Sequence, residues 1–436
     1  MSYSDHPHTG LALRVGPPPW LLFLFLTAVF FLHDHDLSIA KIGIDNYGLS
    51  QDDIFAAAAK GTEGLPVGRI ALLSLGIGAI VSLVRHRANG RLRIDGPWGW
   101  LLLSFVVWAF VSPIWAEDLP LTLKSLTGFG ILCIAAAAVV RRLSLREIIL
   151  WTFFSTILFL FIGVSAEVLF GTFRPFASGY RFSGSLHPNS QGTECGLLLL
   201  SAVAAADLDK RWRALFWACA FLGFVFLILS GSRTALAAAL LALVVYSAAA
   251  CSRATKIALA YSLSIIVCFL LLFLEAGLLP GLKGTILLGR DDPDSVGTFT
   301  GRTMIWEDAG YYIRQRPILG YGYGGFWTPT HINVISDEEK WGVPDGHSAY
   351  IDYLLTLGTV GLVAYTLLLF AGIRRAFRFH RLSRNSAFAF CGAFLVFCAL
   401  DGFFESAIGE ASILLFLCMV VLARLVKIGD SSQPLR

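Results

Sequence analysis

The chain has 436 residues, of which 56% are hydrophobic and only 15% charged, with a mean hydropathy of +0.69. Soluble globular chains are about a quarter charged, so this composition excludes an ordinary soluble domain and points to the membrane class. A formal net charge of +4 is too small to suggest nucleic acid as a partner, and the placement of the positive charges carries more information than their sum.

A helix needs about 20 apolar residues to cross the hydrocarbon core. Runs of that kind recur along the chain. The first, 20–32, follows Pro17-Pro18-Pro19; the others are 66–84, 97–115, 119–140, 148–170, 189–206, 214–230, 234–250, 257–275, 349–370, 387–404 and 411–426. Lipid offers no hydrogen bonds to open strands, so all twelve are read as helices of an all-α, polytopic integral membrane protein. Ser38-Ile39-Ala40 has the small-residue look of a signal-peptidase site, but the polar gap from His33 to Leu37 favours an uncleaved first span.

The connections after the even-numbered spans are basic. They hold Arg85, Arg87, Arg91 and Arg93; Arg141, Arg142 and Arg146; Lys210, Arg211 and Arg213; Arg253 and Lys256; Arg374, Arg375, Arg378, Arg381 and Arg384; and Arg424 and Lys427. The positive-inside rule puts all of these in the cytoplasm, with both termini. The chain then divides into nine spans over 1–275, a large outer loop over 276–348, and three further spans with a short cytoplasmic tail over 349–436. All eight cysteines fall in or beside apolar runs with no C-x-x-C spacing, which reads as packing rather than disulfide or metal chemistry.

The outward connections differ in kind from the inward ones. His33-Asp34-His35-Asp36 offers an H-x-H pair, though no third ligand stands nearby. The loop 171–191 carries Arg174 and Arg181. Pro188 and Asn189 then suit a helix start, with Glu194 one turn into the following span, where an ionisable group is a functional candidate. Spans seven and eight meet at Ser230-Gly231-Ser232-Arg233-Thr234 with almost no loop, so Arg233 is held at the membrane boundary. A guanidinium there can snorkel to head groups or grip phosphate in a poorly hydrated site; the neighbouring glycine and hydroxyls favour phosphate.

The long polar stretch from Glu275 to His347 holds the other candidates. Gly301 to Arg316 reads as an amphipathic helix ended by Pro317. Its stripe of Ile305, Trp306, Ala309, Tyr312 and Ile313 suits a helix lying at head-group level. Arg302 in its first turn opposes the helix dipole, a conflict that a bound anion would relieve. Asp291, Asp292 and Asp294 form an acidic cluster read as a flexible loop. Gly320 to Gly325 is read as a loop pressed against something rather than a phosphate loop, since the GK[ST] ending is missing. His347, just before the tenth span, is the residue type and position a general base would need.

In order along the chain, Ser230-Gly-Ser-Arg233, Gly301-Arg302-Thr-Met-Ile-Trp306, Arg316-Pro-Ile-Leu-Gly-Tyr-Gly, His347-Ser-Ala-Tyr-Ile-Asp352 and Gly358-Thr-Val-Gly361 resemble the O-antigen ligase / O-antigen polymerase superfamily of bacterial envelope glycosyltransferases. The resemblance covers roughly residues 180–370 by motif and the whole chain by span count. It implies a GT-C-like membrane enzyme of the inner membrane with its site facing the periplasm. It also implies metal-independent transfer of a glycan, without a cofactor, from an undecaprenyl-diphosphate carrier. The acceptor would be a hydroxyl of lipid A–core (ligase) or of another lipid-linked glycan (polymerase), and partner proteins of a polysaccharide export pathway fit the same picture. Carried over by position, His347 falls on the proposed catalytic histidine, and Arg233 and Arg302 fall on the arginines that hold the diphosphate. Arg181, Asn189, Glu194, Arg290, Ser348 and Asp352 stand as supporting candidates. The chain departs from the family at Ser348, where an Asn commonly follows the histidine, so the hydroxyl would have to orient the imidazole. Leu288-Gly-Arg290-Asp291 ahead of Arg302 is most like the exopolysaccharide-polymerase branch. The rival readings are a polysaccharide transporter or flippase, which would place its charges nearer the bilayer midplane, and a peptidoglycan-type polymerase.

Overall fold

The caps written in the sequence set several helix ends. The structure, a computed structural model, describes residues 19–42, 66–85, 96–177, 180–250, 302–339, 342–406 and 411–428, and all regular structure among them is helical. The expected span 257–275, Arg290 and the Asp291–Asp294 cluster lie outside the described residues. The helices are α1 (Pro19–Asp34), α2 (Leu37–Ile42), α3 (Pro66–Arg85), α4 (Gly96–Val111), α5 (Leu119–Arg142), α6 (Leu145–Phe170), α7 (Pro188–Leu208), α8 (Arg213–Leu229), α9 (Arg233–Ala250), α10 (Arg302–Gln315), α11 (Pro329–Glu339), α12 (Ala349–Ser383), α13 (Ser386–Asp401) and α14 (Ile413–Ile428). Asp118 caps α5 by accepting from Leu121 N, Ser144 and Glu147 close a capping box on α6, and left-handed Gly171 ends α6.

Seven of the described helices are long and apolar enough to cross a membrane: Pro66–Arg85, Gly96–Ile114, Leu119–Arg142, Leu145–Phe170, Lys210–Leu229, Arg233–Ala250 and Ala349–Ser383. Trp20–Asp34 and Ser386–Asp401 are shorter apolar helices. The expected spans 189–206 and 411–426 do form helices, α7 and α14, outside that group. α7 opens on polar residues, and α14 is 16 residues long. The fold is that of an all-α integral membrane protein. α7 is its central helix, buried along nearly its whole length among α6, α8, α9 and α13.

Contacts at the helix ends sort the connections into two groups. At one end Arg146 pairs with Asp209 (2.9 Å), Arg424 donates to Val140 O (2.9 Å), and Arg375 donates to Leu425 O (2.9 Å). At the other end Asp36 N donates to Ser185 O, Thr193 bonds Asp401, Ala349 N donates to Gly402 O, and Glu117 N donates to Tyr321 O. The basic connections named in the sequence that fall among the described residues therefore gather away from the end that carries 302–348.

The expected span 349–370 straddles a break. Gly358 has φ +65° and ψ −169° inside α12, and the helix doubles back there. Twelve residues of straight helix would separate Tyr353 from Tyr365 by about 18 Å, yet their rings are 4.3 Å apart, and Tyr350 also reaches Tyr365 at 5.8 Å. The carbonyls released by the break are taken up by protein. Tyr321 N donates to Leu355 O (2.8 Å), Gly322 N to Thr356 O (2.9 Å) and Trp108 Nε1 to Leu357 O (3.1 Å). Irregular backbone inside a membrane protein survives only where it is satisfied in this way. The glycine-rich run is indeed pressed close. A Cβ on Gly320 would meet Leu355 O at 2.7 Å, and one on Gly358 would meet Ile318 O at 2.0 Å. The continuous part, 359–383, extends about 37 Å, enough to cross a hydrocarbon core of about 30 Å.

The amphipathic helix forms where expected, as α10, but its apolar stripe does not face lipid. Ile305 and Ala309 are fully buried in a small separate core with Tyr321, Phe326, Ile335, Val343 and Leu355, flanked by Trp306, Tyr312 and Ile313. The Trp and Tyr residues that suggested head-group level instead hold α10, α11 and the glycine-rich run together.

Candidate functional site

Two chain segments far apart in sequence build each half of the site. The first half is the turn between α8 and α9. Gly231 takes φ +65°, and a Cβ there would lie 2.9 Å from Arg181 Nε, so glycine serves both the turn and the passage of that side chain. Arg181 donates from Nε to Ser230 O (2.9 Å) and from Nη2 to Asn189 Oδ1 (2.6 Å). Asn189 lies in the first turn of α7, and Arg233 stands half-buried at the first position of α9, two residues past Gly231. The guanidinium that spans the turn is therefore that of Arg181, which the sequence placed only among the supporting residues.

Arg181 is held by a residue the sequence reading missed. Glu167, buried near the end of α6, accepts from Ser183 N (3.0 Å), Gly184 N (2.8 Å), Ser183 Oγ (3.1 Å) and Tyr180 OH (2.5 Å). One carboxylate thus holds the Tyr180 side chain before Arg181 and the Ser183–Gly184 backbone after it. An acidic residue in the last turns of an apolar span was the available signal. Glu194 is buried as well, with Oε1 3.3 Å from His35 Nε2; His35 Nδ1 lies 2.7 Å from Ser185 Oγ. Burial opposes a charge on His35, but Glu194 and then Asp34 outweigh it and raise its pKa. His33 turns instead to Asp34 (2.6 Å), so the H-x-H pair does not converge on one point.

The second half is organised by residues 402–406, beyond the end of α13. Arg302 is buried at the start of α10. Its Nη2 donates to Glu405 Oε1 at 2.8 Å, and its Cζ sits 5.8 Å from the Phe404 ring centroid. Its Nε is buried and has no hydrogen-bond partner among the described residues. On the other side of 402–406, Ala349 N donates to Gly402 O (2.8 Å), Ser348 N to Ser406 Oγ (3.1 Å) and Ser406 Oγ to Asp345 Oδ1 (2.9 Å). Asp345 Oδ1 also accepts from His347 N (2.7 Å) and lies 3.3 Å from His347 Nδ1. Asp352 accepts from Gly346 N (3.1 Å) and Trp327 Nε1 (2.9 Å), so it supports the turn that carries His347.

Arg302 and His347 are thus brought to one short connection, and Arg181 reaches it electrostatically. Burial pushes Glu405 up to about 8; Arg302 opposes the rise, Asp401 and Asp345 add to it, and Arg181 opposes it. A neutral Glu405 still accepts the Arg302 hydrogen bond but leaves the guanidinium charge uncompensated. Ser348 behaves differently from expectation. Its hydroxyl lies 3.5 Å from Gly402 O, and the group beside the imidazole Nδ1 is the Asp345 carboxylate.

The described chain is therefore a polytopic helical membrane protein in which buried Arg302, half-buried Arg181 and Arg233, and His347 lie at one end of the bundle. Residues 218–366 match the family model described as O-Antigen ligase, which supports the O-antigen ligase/polymerase superfamily for this chain. The match takes in Arg233, Arg302, His347, Ser348, Asp352 and the break at Gly358, while Arg181, Asn189, Glu194 and Glu405 lie outside it. No curated protein matches the chain.

Proposed function

We propose that this chain is a glycosyltransferase that moves a glycan from an undecaprenyl-diphosphate carrier to an acceptor hydroxyl at the periplasmic face of the bacterial inner membrane. The supporting family match is of the O-antigen ligase type. The observation that carries the reading is Arg302: a buried guanidinium whose Nε has no hydrogen-bond partner among the described residues, set beside a carboxyl that burial pushes toward its neutral form, and tied through 402–406 to His347. A buried cation whose neighbour does not neutralise it is suited to an anionic group such as a diphosphate.

In this mechanism His347 Nε2 takes the proton of the acceptor hydroxyl, whose oxygen attacks the anomeric carbon. The bond from that carbon to the phosphate oxygen breaks, and the carrier diphosphate leaves with the electron pair. Attack from the opposite face inverts the anomeric centre. Arg302, with Arg233 and Arg181 at the turn between α8 and α9, stabilises the charge on the leaving diphosphate in a poorly hydrated site. The imidazolium then releases its proton to solvent. The positive-inside pattern, carried to twelve spans with both termini cytoplasmic, supports an outward orientation for this end of the bundle. The acceptor in this proposal is a second lipid-linked glycan or lipid A–core.

The test is turnover by the purified full-length protein in nanodiscs, with a synthetic undecaprenyl-diphosphate glycan as donor. His347→Ala is expected to lower the rate by about 10²- to 10⁴-fold, the usual worth of a general base. Transfer by that variant at the wild-type rate would overturn the mechanism.

A further inference from the structure

We infer that Asp345 is the positioning residue for His347: it fixes the imidazole with the proton on Nδ1 and faces the imidazolium that forms during transfer. The inference rests on the reading of His347 as the base and goes beyond it, since no motif or family match assigns Asp345 a role.

A single oxygen carries the argument. Asp345 Oδ1 accepts from His347 N at 2.7 Å and from Ser406 Oγ at 2.9 Å, so two donors fix its position independently of the ring. The same oxygen lies 3.3 Å from His347 Nδ1. An ionised carboxylate can only accept, so the ring nitrogen facing it carries the proton and Nε2 keeps its lone pair. When Nε2 takes the acceptor's proton, the positive ring already has a carboxylate beside it, and the contact shortens. The chain conformation serves the same end. His347 sits at φ +44°, in the left-handed region that a side chain rarely adopts, and this folds the ring back over the residue two positions earlier.

The surroundings hold Asp345 rather than compete with it. Asp352 on α12 is occupied by Gly346 N and Trp327 Nε1. Glu405 is occupied by Arg302 from α10. Ser348, the residue expected to steer the ring, directs its N–H to Ser406 and lies with its hydroxyl against Gly402 O. The titratable and charged groups linked to Asp345 and the turn that carries His347 are Asp352, Glu405 and Asp401, with Arg302 and Arg181 acting on Glu405. Asp345 is the acid within reach of Nδ1.

The experiment measures kcat, KM for the lipid-linked donor and the rate–pH profile in nanodiscs for wild type, Asp345→Asn, Ser406→Ala, Ser348→Ala and His347→Ala. Asp345→Asn keeps an acceptor oxygen and removes the charge. It is expected to lower kcat by about tenfold or more, with donor KM within about twofold, and to move the acidic limb of the profile to lower pH because the ring loses its anionic neighbour. Ser406→Ala, which frees the carboxylate without touching it, is expected to lower kcat by several-fold in the same sense; it also tests the inference if the Asp345 variant fails to fold. Ser348→Ala is expected to cost less than Asp345→Asn. A folded Asp345→Asn protein with the wild-type kcat and profile, or a larger loss in Ser348→Ala, overturns the inference while leaving the base reading intact. Full activity in His347→Ala overturns both.

Discussion

Replacing Arg302 with Ala separates the proposed anion-binding role of this residue from its structural one, because the two carry different magnitudes. The guanidinium is buried and donates to Glu405 Oε1 at 2.8 Å, with both side chains 10% exposed. If Glu405 were ionised, removing Arg302 would strand a buried charge and cost about 3–5 kcal/mol. Glu405 is instead pushed up to about 8 by burial, so near neutral pH the variant loses a hydrogen bond to a charged donor, worth about 1–3 kcal/mol. The protein should therefore fold. The rate is a different matter. Losing one fixed donor to a developing charge costs about 2.7–4 kcal/mol, or about 10²- to 10³-fold in kcat. Arg302→Lys restores a charge but not the planar fork, and should recover only part of that loss. The assay is turnover with the lipid-linked donor near pH 7, alongside thermal unfolding in the same nanodiscs. A folded Arg302→Ala protein turning over within about threefold of wild type would refute the anion-binding role. A loss of stability as large as that of a broken buried ion pair would refute the protonated state of Glu405.

Two further predictions concern the scaffold. Gly358→Ala puts a Cβ 2.0 Å from Ile318 O at φ +65°, so the glycine-rich run must leave the break in α12. The strained backbone and the lost bonds from Tyr321 N, Gly322 N and Thr359 N together cost about 4–6 kcal/mol. This should read out as a large fall in unfolding temperature and as new protease cleavage within 316–328; an unchanged temperature and cleavage pattern would show that the run is not docked as described. Between α10 and α11, Glu339 is pushed up to about 7 by burial, then by Asp308, Glu338 and Glu307. Its neutral form is the one that folding favours. That contribution is complete below its unfolded value of about 4.3 and is lost as pH rises through about 7. Hydrogen exchange of the α11 amides, corrected for intrinsic rates, should show weaker protection at about pH 8 than at about pH 5, and Glu339→Gln should reduce the difference.

Much of the helical framework was legible because membrane spans are set by length and apolarity alone. Leu119–Arg142 and Arg233–Ala250 fall within a few residues of the runs read from the sequence, and α10 begins and ends almost where Gly301 and Pro317 place it. What local pattern did not show is what covers each face. The α10 stripe was apolar and aromatic for a reason that lay elsewhere, in Tyr321, Phe326 and Ile335. The break in α12 has a local trace, Gly358 followed by Gly361, but the sequence does not reveal that residues 317–322 fill it. The site divides in the same way. Arg302 and His347 could be picked out by residue type and position. Their shared anchor at 402–406 could not, because Arg302 and Glu405 are 103 residues apart and Ser348 and Ser406 are 58 apart. Glu167 was hidden for a related reason. A carboxylate at a span end gives no sign of which loop amides it will gather.

The balance of charge at the site gives the geometry its chemical sense. Asp345, Asp352, Asp401, Glu405 and Glu194 all lie at the end of the bundle that carries the arginines, a crowded setting for a diphosphate if every carboxylate were ionised. Each of them except Glu405, however, makes a hydrogen bond or ion pair with a group other than Arg302. Asp352 serves Gly346 and Trp327, Asp401 serves Thr193, Glu194 faces His35, and Asp345 faces His347. Among the described residues Glu405 is the acid hydrogen-bonded to Arg302, and burial pushes that carboxyl up toward its protonated form. A neutral acceptor can orient the guanidinium without cancelling its charge. The same short connection then hands Asp345, through Ser406, an orientation toward the imidazole. One five-residue stretch, 402–406, thus sets the angle of Arg302 on one side and of the His347 turn on the other, which is the separation of roles that the proposed transfer from a charged leaving group to a neutral hydroxyl requires.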